Sequence, residues 1–409
     1  DVDCDTGELN TSINRAEGLG GTTNYWHNAL IELDDKDLRK AGIEPGGFAS
    51  YYQRAWEFFL SKGELEGCNR ARDANAESLK GGQSTIAHMV LPQTRHNVWN
   101  LANQRNPGDT IDVVYGQAKR IVDGGVELQG GKRLEADHVI ACGGGLGTPV
   151  LLAASLGQEN GFVPGYHDHP MAYVAKVKLR DGSRLKKVSS TATLSADVRA
   201  GLIYDTDDLK TVVYLRPAVD MRLGSIMGPA RYILSDLRND PFSPKKIMML
   251  LGNLEAVREA ILFKTRLGFR GNYYSVLILG EQTPLARRGL QMAKGKRPAL
   301  NWHVTPEELR SYEASVDKFY AEFADDIIER SVVPTASWEF RNAAHHSGTA
   351  TSFVPAPATP GNTSKEFFGV TGLPNAYVCD GSLLRAAGIA NSGLTLVALT
   401  YRLAEILRQ

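Results

Sequence analysis

The feature that most limits what this chain can fold into is a short stretch in its first half. An apolar run, Ala136–Cys142, opens into Gly143-Gly144-Gly145-Leu146-Gly147-Thr148-Pro149 and then the aliphatic pair Leu151-Leu152. A buried strand that turns through glycines straight into a helix is a building unit of α/β nucleotide-type domains. The start of such a helix leaves backbone N–H groups free and carries a partial positive charge, so it suits a pyrophosphate or flavin oxygens. The spacing departs from a dinucleotide fingerprint, because Gly143-x-Gly145 is followed by Gly147, with Thr148 where a further glycine would stand. By itself the stretch fits a structural turn as well as a ligand cradle.

The chain has 409 residues, enough for two or three domains with their own cores. Lys+Arg and Asp+Glu are both 46, so no overall basic field draws in nucleic acid. No apolar run approaches the roughly 18 to 20 residues of a membrane span. The four cysteines, Cys4, Cys68, Cys142 and Cys379, show no metal or redox spacing. Cys142 and Cys379 end apolar runs and read as buried thiols. A cytoplasmic location is the default for such a chain. The Asn10 and Asn362 sequons are about what chance gives.

Periodicity predicts helices over 48–62, 93–105, 244–266, 306–330 and 394–407. Thr305-Pro306-Glu307-Glu308 is a helix start, with a threonine cap, proline in the first turn and acids behind it. A turn is expected at 106–109. Strands are expected as a pair at 110–115 and 120–128, and singly at 172–179, 211–215, 273–279 and 375–380. The expected architecture is α/β (α+β overall). A split Rossmann-like domain would occupy 1–165 and 341–409, and an antiparallel-sheet domain would be inserted at 166–340.

Five motifs could carry chemistry. Gly18-Leu19-Gly20-Gly21-Thr22-Thr23-Asn24-Tyr25-Trp26 would let backbone approach a flat ligand, or would form a tight turn over a buried Trp. The 143–149 loop is the second. Tyr166-His167-Asp168-His169-Pro170 reads as a polar hinge bonding backbone groups. Adjacent strand residues point to opposite faces, so its His-Asp-His run does not converge on one metal ion. Asn342-Ala343-Ala344-His345-His346-Ser347-Gly348-Thr349 is the fourth. Asp380-Gly381-Ser382 with Gly388-Ile389-Ala390-Asn391-Ser392-Gly393-Leu394-Thr395 is the fifth, with Asp380 at a strand end.

Taken in this order, the motifs resemble those of glucose–methanol–choline oxidoreductases over about residues 18–405. The Gly20–Trp26 run is similar to the family stretch over the flavin ring, closest in form to the pyranose-oxidase branch. Gly144–Leu152, Asp168-His169-Pro170, Glu281-Gln282 with Leu300-Asn301-Trp302, and His345-x-x-Gly348-Thr349 resemble further family signatures, and the pair at 380–395 completes them. The resemblance implies an FAD-dependent oxidation of a CH–OH group in a small-molecule alcohol. A sugar, aminosugar or cyclitol is the favoured class, and the electron acceptor stays open. It implies His345 as base with Asn391 as its partner, and His346 as the rival base. It implies flavin contacts from Gly20, Gly21, Thr22, Thr23, Asn24, Tyr25, Trp26, Ala118, Gly144, Thr148, Asp380, Gly381, Asn391, Ser392, Leu394 and Thr395, and no metal.

The family begins with a strand, a G-x-G-x-x-G turn, a helix and a second strand, and none of these precedes Gly18. The expectation is that the chain is part of a longer one. The alternative is a complete protein that grips FAD diphosphate in another way. Ser392 stands where the family usually has proline. Tyr25 stands where some relatives carry a flavin-linked histidine, and His27 is out of register. Two rival readings remain: a flavin-free binding or scaffold protein, and a flavin-dependent lyase. The basic stretch Lys245–Arg270 reads as a solvated helix or as a membrane or partner helix. Trp302, Trp338 and Glu339 could line the substrate pocket or belong to core and rim.

Overall fold

The structure is a computed structural model, and it describes residues 3–5, 18–26, 28–92, 97–105, 108, 111–189, 191–193, 196–218, 271–355 and 365–409. The expected 244–266 helix, the basic 245–270 stretch, both sequons and His27 lie outside the described residues, as does most of the 106–109 turn.

The chain is a mixed α/β protein built around an antiparallel sheet. The sheet order is Ile327–Val332, Pro170–Leu179, Tyr273–Gly280, Leu209–Pro217, Ala196–Thr206 and Thr85–Pro92, with short strands Arg341–Asn342 and Thr191–Ala192 attached. The strands expected at 172–179, 211–215 and 273–279 lie at its centre. Side-chain alternation gives the sheet two apolar faces. Along Tyr273–Gly280, Val276 and Ile278 enter one core while Leu277 and Leu279 enter the other. The Pro306–Glu322 helix covers the first face with Tyr312, Val316 and Phe319. It begins as its sequence predicts: Thr305 Oγ1 accepts the Glu308 N–H at 3.2 Å, and Glu308 accepts the Thr305 N–H at 2.9 Å.

Three expectations are corrected. The helix expected to reach 330 ends at Glu322, and the β-branched run that follows becomes the strand Ile327–Val332. The expected 110–115 strand does not form over its described part, where Ile111 and Tyr115 are exposed. Its intended partner instead folds on itself. Asp123-Gly124 makes a turn, with Gly124 at φ 70°, between Ala118–Val122 and Gly125–Leu128. The strand Thr85–Pro92, drawn from the segment before 165, joins the large antiparallel sheet beside Ala196–Thr206.

Two strands more than 200 positions apart in sequence meet in a parallel pair. Val139–Ala141 lies beside Leu373–Val378, with Tyr377 opposite Ile140 and Val378 opposite Ala141. The backbone continues the pairing for one residue, since the Cys379 N–H donates to the Ala141 carbonyl at 3.1 Å. Cys379 is buried, but Cys142 is exposed, against expectation. Both strands then deliver a loop at the same end. The first enters the Gly144–Ser155 helix, and the second reaches Asp380. No helix among the described residues is long and apolar enough to cross a membrane.

Candidate functional site

The site is built where three separated segments meet: the loop ends of the parallel pair, the 166–170 hinge and the 342–349 loop. Asp380 clamps the first of these. Its Oδ2 accepts from the Gly144 N–H at 2.8 Å and from the Thr148 hydroxyl at 2.5 Å. Its Oδ1 accepts from the Ser382 N–H at 2.8 Å and the Ser382 hydroxyl at 2.5 Å. A carboxylate has about four lone-pair sites, so all are taken inside the protein. The resemblance assigned Asp380 to the flavin, whereas here its carboxylate binds the protein itself. Burial pushes its pKa up against the pull of these bonds.

The 342–349 loop is held on both sides. The virtual side chain of Gly145 would meet the His346 carbonyl at 2.2 Å, and that of Gly381 would meet it at 2.7 Å. Only glycine leaves room for the loop between them. Pro149 sits inside the Gly144–Ser155 helix and has no N–H for the carbonyl four residues back. That carbonyl belongs to Gly145, and the buried Thr349 hydroxyl donates to it instead at 2.6 Å.

The hinge and the loop run antiparallel, with a large bulge. Pro170 pairs with Asn342, and His167 bridges Ser347. Between these pairs, four residues, Ala343 to His346, stand opposite two, Asp168 and His169. Extra residues in one strand leave main-chain groups without ladder partners. The Asp168 carboxylate replaces those partners. Its Oδ1 accepts from the N–H groups of His169 at 2.6 Å, His345 at 3.1 Å and Ala343 at 3.2 Å. Ala344, at the crest, has φ 59°, the left-handed region that a non-glycine residue rarely occupies.

The Asp168 Oδ2 faces His346 and Tyr166. The Tyr166 hydroxyl lies 3.2 Å from that oxygen and 2.7 Å from His346 Nδ1, and His346 Nδ1 is 3.2 Å from the carboxylate. Burial would raise the Asp168 pKa, but His346, His345 and His169 outweigh it and hold the carboxyl below its ordinary range. His345 points elsewhere. Its Nε2 is 2.8 Å from Asn391 Nδ2, and its Nδ1 is 2.8 Å from His169 Nδ1. Burial, with the neighbouring His169, lowers the His345 pKa to about 3. His345 is therefore a neutral imidazole, and His346 is occupied by the Asp168–Tyr166 pair.

Asp168, His169 and His345 each present a ligand-type atom, all within 4.8 Å of one another. The hinge thus converges on the loop more than strand alternation predicts. The two imidazole nitrogens, however, stand at the 2.8 Å of a shared proton. Two nitrogens on one tetrahedral zinc would be about 3.3 Å apart.

Asn391 lies just before the Gly393–Leu407 helix, whose first turn has no side-chain cap. Its positive end is thus close to the His345–Asn391 pair. Thr395 is buried, its hydroxyl 2.8 Å from the Tyr52 hydroxyl, and Leu394 is fully buried. Ser392, half-buried, can offer a ligand its main chain, whereas Leu394 and Thr395 have no exposed surface. Trp26 packs against the same helix start, filling the space a side chain on Gly393 would need, and meets the Phe59 ring in a tilted contact, centroids 5.7 Å apart.

The rest of the Gly20–Trp26 run forms a braced turn. Gly20 has φ 84°, and Gly21 to Asn24 make one 3₁₀ turn. Asn24 Nδ2 donates to the carbonyls of Leu19 at 3.0 Å and Gly21 at 2.9 Å, and Thr23 Oγ1 accepts from the Val98 N–H at 3.2 Å. Tyr25 is 75% exposed. Beyond Gly21 and Gly144 there is open space where a side chain would project. Ala118 lies apart from this cluster, exposed at the start of a strand that packs on the Gly144–Ser155 helix.

Comparison with models of known protein families gives no match, and comparison with curated proteins gives no significant match.

Several residues of the site escape sequence reasoning. Tyr166 was read only as hinge, His169 as hinge and as part of a family-like signature without a role, and Gly388 only as part of a small-residue run, yet each bonds a histidine of the 345–346 pair or its neighbour. The polar partners lie about 180 to 220 positions apart, so no local pattern announces them. The Trp302 indole donates to Gln282 Oε1 at 2.7 Å and is buried, and Trp338 donates to the Val333 carbonyl at 3.0 Å. Both tryptophans belong to the core.

Proposed function

We propose that this chain carries the active site of an FAD-dependent oxidoreductase acting on a CH–OH group, of the glucose–methanol–choline type. The observation that carries the reading is the contact of His345 Nε2 with Asn391 Nδ2 at 2.8 Å, beside a helix start that no side chain caps. The parallel pair made from strands far apart in sequence supports a split Rossmann-like domain drawn from 1–165 and 341–409, around a sheet mostly of 166–340 that also takes in Thr85–Pro92.

Three features support a flavin as the group held here. The uncapped start of the last helix, at the half-buried Ser392 and Gly393, would turn main-chain N–H groups to an electron-rich ring edge. Gly21 and Gly144 leave open space on their free sides, and Trp26 backs the helix start. FAD supplies the hydride acceptor when bound.

The protein's part is proton handling and placement. A half-buried neutral imidazole has a lone pair free to accept a proton. An alcohol hydroxyl entering between His345 and Asn391 gives its proton to Nε2, while the Asn391 amide donates to the oxygen left behind. Asp168, charged and adjacent, stabilises the imidazolium that results. A positioned general base of this kind is worth about 10² to 10⁴ in rate. The substrate is a small-molecule alcohol, with sugars, aminosugars and cyclitols the class to examine first.

Titration of the purified protein with FAD, followed by quenching of flavin fluorescence, tests the cofactor assignment. Saturable quenching supports it. No binding, with the protein shown to be folded, favours a flavin-free binding protein.

A further inference from the structure

We propose that His169 is the positioning residue that fixes the tautomer of His345, and that the Gly388 carbonyl is the anchor from which this choice is passed along. The proposal rests on the reading of His345 as the proton acceptor.

The chain of contacts admits a single proton assignment. His169 Nε2 lies 2.8 Å from the Gly388 carbonyl oxygen, which can only accept. Nε2 of His169 therefore carries the hydrogen. Burial lowers the His169 pKa and the ring is neutral, so its Nδ1 has a lone pair. That lone pair faces His345 Nδ1 at 2.8 Å, with the rings near perpendicular at 78°. His345 Nδ1 must then be the donor. His345 is neutral as well, which leaves Nε2 as its only basic nitrogen, and Asn391 Nδ2 meets it as a donor should. The reverse assignment would need a hydrogen on both nitrogens of His169, a buried cation.

The anchor is itself held. Gly388 has φ 53°, and a side chain there would overlap the Asp37 carboxylate, 2.1 Å from its Oδ2. Asp37 is buried and paired with the buried Lys210 ammonium at 2.7 Å. An ion pair between the 35–40 helix and the large sheet therefore packs against the peptide whose carbonyl receives His169. The arrangement also sets where an accepted proton stays. His345 keeps its Nδ1 hydrogen on His169, and His169 cannot pass its own hydrogen to a carbonyl, so the charge is retained beside Asp168.

The test is the ring-nitrogen NMR spectrum of the full chain labelled with ¹⁵N-histidine, with His345 assigned by its loss in His345→Gln. In the native protein the His345 signals should be those of the Nδ1–H form. His169→Leu removes the acceptor, and the Nε2–H form should then take the larger share. His169→Gln can accept from His345 and donate to Gly388, so it should restore the native signals. Native His345 in the Nε2–H form, or His169→Leu with an unchanged tautomer, overturns the proposal. If His169→Leu unfolds, the native spectrum and His169→Gln still decide it. Flavin reduction by alcohol, measured alongside, should fall about 10²-fold in His169→Leu and by much less in His169→Gln. A changed tautomer with unchanged reduction would leave the positioning role standing and remove His345 as the base.

Discussion

Thr349 donates its hydroxyl to the Gly145 carbonyl at 2.6 Å, across 204 positions of sequence. Proline at 149 creates the vacancy, and threonine at 349 fills it. The bond ties the 342–349 loop to the glycine turn, so it is a structural reason for the Gly-Thr that follows the histidine pair. Thr349→Val leaves a buried carbonyl without a donor and should cost about 1 to 3 kcal/mol. Thr349→Ser keeps the hydroxyl and should stay within about 1 kcal/mol of the native protein. Urea unfolding midpoints of the two variants measure the difference.

Asp168 holds a bulge of four residues against two, and the bonds it accepts from the main chain cannot be replaced from within the ladder. Asp168→Ala should destabilise the protein by roughly 3 kcal/mol or more, since three N–H groups lose one acceptor. Asp168→Asn retains an oxygen for those groups but loses the charge facing His346. Its unfolding midpoint should fall between those of the native protein and the alanine variant. Equal stability of native and alanine proteins would contradict the role given to this carboxylate.

Acid should weaken the fold before the carboxylates titrate. Burial lowers His88 and His167 to about 4 and His345 to about 3, and lowers His169 and His303 as well. In the unfolded chain each binds a proton near pH 6.5. The unfolded state therefore takes up more protons as pH falls from about 6.5 towards 4, and stability drops over that window. Asp37, raised to about 6 by burial, and Asp380, raised by burial, act in the opposite sense. The lowered histidines outnumber these two carboxyls, so the net uptake is at least about one proton and the loss is roughly 1.4 kcal/mol per pH unit or more near pH 5. Below that, Asp168 adds to the loss as its carboxylate protonates. Thermal unfolding between pH 7 and pH 4.5 checks the slope, and a flat or rising melting temperature on acidification would count against it.

Much of this fold is legible in the sequence where the signal is local. The Thr305–Glu308 capping box, the glycine turn after 142 and the three central strands each carry their own pattern. The strands Thr85–Pro92 and Ala196–Thr206 do not. The second contains Ala200 and Gly201, which weaken a strand pattern. Gly201 is needed because a side chain there would overlap Val212 and Tyr214 of the neighbouring strand, a constraint visible only in three dimensions. The apolar 111–115 run misleads in the other direction, since its side chains are exposed. In the site, His345 and Asn391 stand out as polar residues among small ones. The link between Asp168 and His345 spans 177 positions and has no periodic signature.

The central claim is that His345 takes the alcohol proton while the surrounding cradle holds the flavin. The direct measurement is anaerobic flavin absorbance of the native protein and of His345→Ala, each mixed with a panel of sugars and simple alcohols. The account predicts flavin colour in both, bleaching of the native protein by at least one alcohol, and a bleaching rate lower by about 10² to 10⁴ in His345→Ala. Flavin-bound native protein that no alcohol bleaches, or His345→Ala bleached as fast as the native protein, would contradict it.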